Sequence, residues 1–307
     1  MANYKPEGWL IDTAENRNIL KSFQNLSDAC MQGKIVEGRA VVCNSEHDLI
    51  VDLGCMRGII PKNEGAIGIA EGKAKDISII SRVNKPVAFK VTGFRKNVAG
   101  MIEAELSRRL AQEECCENYI SKLRSGDVIE AQATHLEPFG CFVDIGCGIS
   151  SLIPIDMISI SRIAHPSDRF KVGDRLYGVV KDNDGKGKIS LSHKELLGNW
   201  TQNAERFIPG ETVAGIVRSV ESYGIFIELA PNLAGLAEVR DDVRVGQRAS
   251  VYIKSVIPEK MKIKLIIVDC FDADYENPEL EYYITEGHLS NWRYSPENCS
   301  KIIETQF

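Results

Sequence analysis

From Ser125 the chain reads SGDVIEAQATHLEPFGCFVDIGCGISSLIPIDMIS, and from Pro209 it reads PGETVAGIVRSVESYGIFIELAPNLAGLAEV. Laid together, Phe139-Gly140-x-Phe142-Val143-Asp144-Ile145 matches Tyr223-Gly224-x-Phe226-Ile227-Glu228-Leu229, so the chain repeats itself. A fainter third copy, GKIVEGRAVVCNSEHDLIVDLGCMRGIIP, begins at Gly33 and puts Asp52-Leu53 in the place of Asp144-Ile145. Within each copy apolar residues alternate over short stretches bounded by Gly, Asn, Asp or Pro, which is the pattern of half-buried strands. The copy at 125 predicts strands near 127–135, 140–145, 149–153, 174–182 and 187–192, and the copy at 209 predicts them near 211–219, 224–229, 234–238, 247–256 and 261–268. Five short strands, with a longer irregular connection after the third, predict a small closed antiparallel barrel. Closure leaves no strand edge exposed.

The segments between the copies read as helical. Asp12 or Thr13 is placed to cap a helix with Ile19, Leu20, Phe23, Leu26 and Cys30 along one face. Residues 108–123 (RRLAQEECCENYISKL) and 194–207 (KELLGNWTQNAERF) have the pattern of helical linkers, halted before Gly126 and Gly210. The expected organisation is therefore mainly β. An N-terminal helical segment at 1–32 precedes barrels at 33–107, 125–193 and 209–268, with helical linkers at 108–124 and 194–208 and a C-terminal extension at 269–307.

With 307 residues, 44% hydrophobic and 26% charged, the chain has the make-up of a folded protein of more than one domain. No apolar run approaches the roughly 18 residues of a membrane span, and MANYKPEGWLID has no basic-then-apolar export signal. The nine cysteines include no CxxC, and the adjacent Cys115 and Cys116 suit neither a bridge nor a zinc site. Cys43, Cys55, Cys141, Cys147 and Cys270 sit in apolar or strand-like surroundings. An odd count without a secretory signal points to a reducing compartment, so the expected location is cytoplasmic. The net charge of −6 is unevenly spread, because residues 268–307 hold nine acids against Arg293 and Lys301 and leave the rest near neutral. Any footprint for a polyanion must then be a local patch.

The F/Y-G-x-F-V/I turn, the Val-Gly-Asp at 172–174 and KISLS at 188–192 resemble the RNA-binding repeat of the bacterial small-subunit ribosomal protein S-one, an oligonucleotide-binding (OB-fold) barrel. HKELLGNW at 193–200 and SYGIFIELAPNLAGLAE at 222–238 are similar to the short, Gram-positive form of that protein, and the resemblance spans about residues 33–267 in three copies. It implies three tandem OB-fold barrels that bind single-stranded RNA, messenger RNA above all, at the small ribosomal subunit, with no cofactor, no membrane and no small-molecule substrate. By the same resemblance Phe139, Phe142, Tyr223 and Phe226 are stacking platforms, and Lys188 and Lys262 precede the last strand where the family carries a basic residue. Asp182 matches an acidic position at the end of the fourth strand. Arg175, Lys181, Arg248 and Lys254 are further candidates for phosphate contact.

The physical reading supports the same residues. Unpaired bases are held by aromatic faces, and the backbone by cations that follow it. On an ideal strand Phe139 and Phe142 would face opposite ways, so a bulge or turn at Gly140 is required to bring both to one surface, and likewise at Gly224. Against the resemblance, the family histidine twelve residues after the second aromatic is Pro154 in one copy and Glu238 in the next. The first copy has His47 and Ile50 at the aromatic positions and Pro61 for the histidine. That barrel lacks a stacking surface, and the resemblance implies that such a degenerate leading repeat docks on the ribosome.

Catalytic signatures are missing from the sequence: it contains no GxxxxGK[ST], no HExxH and no GxSxG. His47, His135, His165, His193 and His288 are scattered, which predicts ordinary surface or partly buried histidines and no metal site. Asp182 and Asp184 fall in a Gly/Lys-rich hairpin loop, where turn formation is the simpler role. The acidic extension also holds Phe271, Tyr275, Tyr282, Tyr283, Trp292, Tyr294 and Phe307. Packing back on the third barrel is expected, the alternative being an acidic cover over a binding surface. A protein-docking scaffold with incidental RNA contact is the second functional reading.

Overall fold

In β6 (Val128–Glu137) the side chains of Ile129, Ala131 and Ala133 are buried while those of Val128, Glu130, Gln132 and Thr134 are less so. That alternation recurs through the repeats, since a pleated strand sends successive side chains to opposite faces and only one faces the barrel core. The structure is a computed structural model and describes residues 4–183, 188–272 and 279–307. Asp184 and Tyr275, named above, lie outside the described residues, as do Asp274 and Glu276.

Each repeat closes into a five-stranded barrel. The first uses β1 (Ile35–Cys43), β2 (Leu49–Asp52), β3 (Arg57–Ile60), β4 (Pro86–Lys96) and β5 (Ile102–Ser107), with α3 (Ile77–Ile80) in the connection after β3. The second uses β6, β7 (Gly140–Asp144), β8 (Ser150–Pro154), β9 (Arg175–Asn183) and β10 (Ile189–Ser192). The third uses β11 (Thr212–Glu221), β12 (Gly224–Ala230), β13 (Leu233–Ala237), β14 (Arg248–Ile257) and β15 (Lys262–Phe271). The barrels are not wholly antiparallel, which corrects the sequence reading. The fifth strand runs parallel to the third in every copy, pairing Ala104 with Gly58, Ser190 with Leu152 and Lys264 with Leu236. A ring of five strands cannot alternate direction all the way round, so one neighbouring pair must run parallel.

The helices are shorter than their patterns suggested. Thr13 caps α1 (Ala14–Leu20), but Ser22 is extended and its hydroxyl accepts from Asn25 N, starting a second helix, α2 (Phe23–Met31). The first linker is α4 (Arg108–Asn118) followed by a 3-10 turn at Ile120–Lys122. In the second, a 3-10 turn at Lys194–Leu197 stops at Gly198, and Asn199 caps the short α5 (Trp200–Ala204). The expected continuous helix over 194–207 is thus two pieces.

The described residues form two compact units. The first contains the first barrel and the 144–150 loop. Its amino-terminal segment is fixed by Glu7, whose carboxylate accepts from Arg108 Nε at 2.6 Å and Nη2 at 3.0 Å, and from Arg82 at 3.1 Å. Glu7 N donates to Asp144 Oδ2 at 2.8 Å. The second unit contains the rest of the second barrel, the third barrel and the tail. There Arg169 and Arg218 both pair with Glu228, and Arg218 Nη1 lies 2.9 Å from Asp168. Asn232 Oδ1 accepts from Ile160 N at 2.9 Å, so the second and third barrels share one buried polar seam.

The tail packs within this second unit. Trp292 and Tyr294 are buried, β16 (Asn291–Arg293) pairs with β17 (Glu304–Gln306), and the Tyr294 hydroxyl donates to Asn232 O at 2.5 Å. Tyr282 packs edge-on against Tyr177 and against His193, with its hydroxyl 3.0 Å from His193 Nε2. His193 is completely buried, contrary to the reading of all five histidines as surface or partly buried, because the tail covers it. Burial holds its imidazole down at about 4. All nine cysteines are free, and Cys55 is exposed, not packed in a strand.

Candidate nucleic-acid interface

Both aromatic pairs sit at the hairpin between the first and second strands of their barrels. Phe139 and Tyr223 occupy the turn itself, one residue before the second strand begins, and are 54% and 70% exposed. Phe142 and Phe226 follow on that strand and are half-buried. The ring centroids lie 5.9 Å apart in one pair and 6.0 Å in the other, at interplanar angles of 89° and 84°. A turn, not a bulge at the glycine, brings each pair to one surface.

The glycine is needed for a different reason. A Cβ on Gly140 would stand 2.5 Å from Ile153 O, and one on Gly224 would stand 2.6 Å from Leu236 Cδ1 and 2.9 Å from Ala237 O. The third strand presses against the start of the second too closely for any side chain. Glycine there lets the hairpin tip seat on its neighbour.

The register defines what surrounds the rings. In the third barrel Phe226 pairs with Ser219 and Leu236, Leu236 with Lys264, and Lys264 with Ser255. These five residues form a row across the outer face, flanked by buried residues such as Ile225, Ile227, Ile263 and Leu265. In the second barrel the row passes through Leu152, Ser190 and Asp182, and Gly140 meets Leu152 as Gly224 meets Leu236. Lys262 opens the last strand of its barrel and Lys188 immediately precedes its own, each two residues before the row at Lys264 or Ser190, about 7 Å along the chain. Lys181 and Lys254 are the extra residues at the β-bulges of the fourth strands, next to the row.

Arg175 and Arg248 are not brought to the rings. Each is seven residues before the fourth strand's row position, about 23 Å along the strand. Arg175 lines a separate cavity with Lys171 and Tyr282, and Arg248 lies beside Glu228 and Leu229. Two row members escaped the sequence reading. Lys264 is the basic residue that shares a row with Phe226, with Leu236 between them, and its place depends on the parallel pairing of β13 with β15. His135 stacks on Phe142 at 6.4 Å and 30°, adding a third ring to the second barrel. Strict alternation along β6 would send His135 inward with Ile129, Ala131 and Ala133, so the strand pattern gave no signal for its exposed position.

The first barrel carries the same row with different chemistry: Val42, Ile50, Ile59, Glu105 and Gly93. An aliphatic side chain stands for the aromatic and a carboxylate for Lys264. Thr92 occupies the bulge where the other barrels have lysine. Among the described residues no cluster of side chains suits a metal ion, and no helix is long and apolar enough to cross a membrane.

Residues 122–194 match the S1 (S-one) RNA binding domain. A small ribosomal subunit protein bS1 from Leuconostoc lactis is 30% identical over 278 residues, covering 85% of this chain and 61% of that protein. A bS1 homolog from Bacillus subtilis is 29% identical over 234 residues, covering 72% of this chain and 56% of that protein. A 4-hydroxy-3-methylbut-2-enyl diphosphate reductase from Clostridium acetobutylicum is 31% identical over 210 residues, covering 64% of this chain and 31% of that protein. The chain spans about half the length of the curated relatives it matches. The repeat seen in the sequence, the barrel it folds into three times and relatives aligned along most of the chain agree: residues 122–194 match an S1 RNA binding domain, and the chain as a whole is similar to the small-subunit bS1 proteins.

Proposed function

We propose that the chain binds single-stranded RNA without catalysing a reaction on it, and that the RNA is messenger RNA held at the small ribosomal subunit in the cytoplasm. The observation that carries this is the outer row of the second and third barrels, where an exposed ring at a hairpin tip meets a half-buried ring on the strand beyond, with lysines nearby. Phe139, Phe142, Tyr223 and Phe226 stack on unpaired bases, and Lys181, Lys188, Lys254, Lys262 and Lys264 follow the phosphates. Stacking accepts every base, so sequence preference is weak. The two barrels share a buried seam, so a strand bound to one is held near the other and gains avidity.

The first barrel supports a second reading for itself alone. Its aliphatic and acidic row suits contact with protein better than with RNA, and it serves as the docking module for the subunit. Sedimentation of the chain with purified small subunits, before and after nuclease trimming of exposed RNA, tests both roles. Co-sedimentation that survives trimming and is lost on replacing the exposed row residue Val42 by lysine (Val42→Lys) supports docking through the first barrel. Loss of all co-sedimentation on trimming leaves RNA as the sole tether.

A further inference from the structure

The aromatic pair of the third barrel faces a cleft of about 390 Å³, within the size range of small-ligand pockets. Tyr223 and Phe226 form one wall. The others come from elsewhere in the second unit: Arg162 from the connection between β8 and β9, Lys260 from the turn between β14 and β15, and Tyr294 and Lys301 from the tail. Arg162, Lys260 and Lys301 are all exposed, and among the described residues the one carboxylate that lines the cleft, Glu221, pairs with Arg162 at 3.8 Å. Two aromatic faces are thus ringed by three solvent-facing cations.

The tail segment that carries Lys301 is fixed in place. Tyr294 N donates to Ile303 O at 2.9 Å, the Ser295 hydroxyl donates to Lys301 O at 2.7 Å, and Ile303 N donates back to Ser295 Oγ at 2.8 Å. A strongly acidic tail therefore turns one of its two basic residues toward the rings. An acidic cover would present carboxylates there instead.

We infer that this cleft is a nucleotide seat completed by the tail: an unpaired base enters against Tyr223 and Phe226, and the adjoining phosphates are held by Lys301, Arg162 and Lys260. The inference rests on the reading of the third barrel as an RNA surface and adds to it a wall from outside the repeat. The tail then strengthens RNA binding and does not mask it.

The test is fluorescence anisotropy of a labelled short oligouridylate titrated with the full chain at several salt concentrations. Lys301→Ala is expected to raise Kd roughly fourfold at physiological salt and to lower the salt slope by about 0.7, the share of one phosphate contact on a single strand. Lys301→Glu raises Kd further, and Lys301→Arg restores binding. Lys301 is exposed, so these variants keep the fold, with Trp292 emission as the check. If Tyr223→Ala/Phe226→Ala weakens binding while Lys301→Glu changes neither Kd nor slope, the tail wall is overturned and the third-barrel reading stands. If neither variant changes binding, both fall together.

Discussion

Phe226 and Lys264 are far apart in sequence, yet one ladder of pairings aligns them with Leu236 between. A ring that stacks and a cation that neutralises leave different signatures. Replacing Phe226 with alanine is expected to weaken RNA binding by about 1–3 kcal/mol with the salt slope intact. Lys264→Ala is expected to lower the slope by about 0.7 with a smaller loss of affinity. Both are read by titration of one oligonucleotide at several ionic strengths. His193 sets a pH prediction of another kind. Its ring is held neutral down to about 4 by burial, against 6.5 ordinarily, so between those values the unfolded chain takes up a proton that the fold refuses. Stability therefore falls as pH drops below 6.5, by about 1.4 kcal/mol per unit until about 4. Urea unfolding across that range should show this contribution in the parent chain and not in His193→Gln.

At the scale of the element, the repeated hairpin was legible because local chemistry writes it. The turn aromatic, the glycine and the alternation of β7 and β12 all lie within a few residues. The parallel closing pairs were not legible, because β13 meets β15 across an intervening strand and no periodicity encodes that pairing. Lys264 was missed for the same reason. Arg175 and Arg248 stand apart from the rings because the seven residues between each of them and the row extend about 23 Å along the strand. Splitting of the first helix at Ser22 and of the second linker at Gly198 reflects caps that compete with an apolar stripe. The seam of Arg169, Arg218, Glu228 and Asp168 also joins residues distant in sequence. Glu228 is the carboxylate that pairs with the fully buried Arg169, so Glu228→Met leaves that guanidinium without its counter-charge and should lower the free energy of unfolding by about 3–5 kcal/mol. Replacing Arg169 and Glu228 together by apolar residues should cost less than the single change, since Arg218 keeps Asp168 and no orphan guanidinium remains. Denaturant titration of the two variants distinguishes these outcomes.

Over the whole molecule, one barrel design serves two chemistries: aromatic and basic in the second and third copies, aliphatic and acidic in the first. The tail belongs to the folded second unit, where it buries His193 and supplies Trp292 and Tyr294 to the core. Ending the chain after Asp272 should therefore destabilise that unit by about 3 kcal/mol or more, each large side chain contributing about 1.5–3. Thermal unfolding followed by the signal of Trp200 would register it. The central claim is that the outer rows of the second and third barrels stack on single-stranded RNA. It is tested most directly by anisotropy with an unstructured RNA oligomer, comparing the parent chain with Phe139→Ala/Phe142→Ala, Tyr223→Ala/Phe226→Ala and the two pairs combined. Each pair is expected to raise Kd by about tenfold or more without changing the salt slope, and the combination to lose more than either. Saturable binding that is indifferent to all four rings would contradict the account.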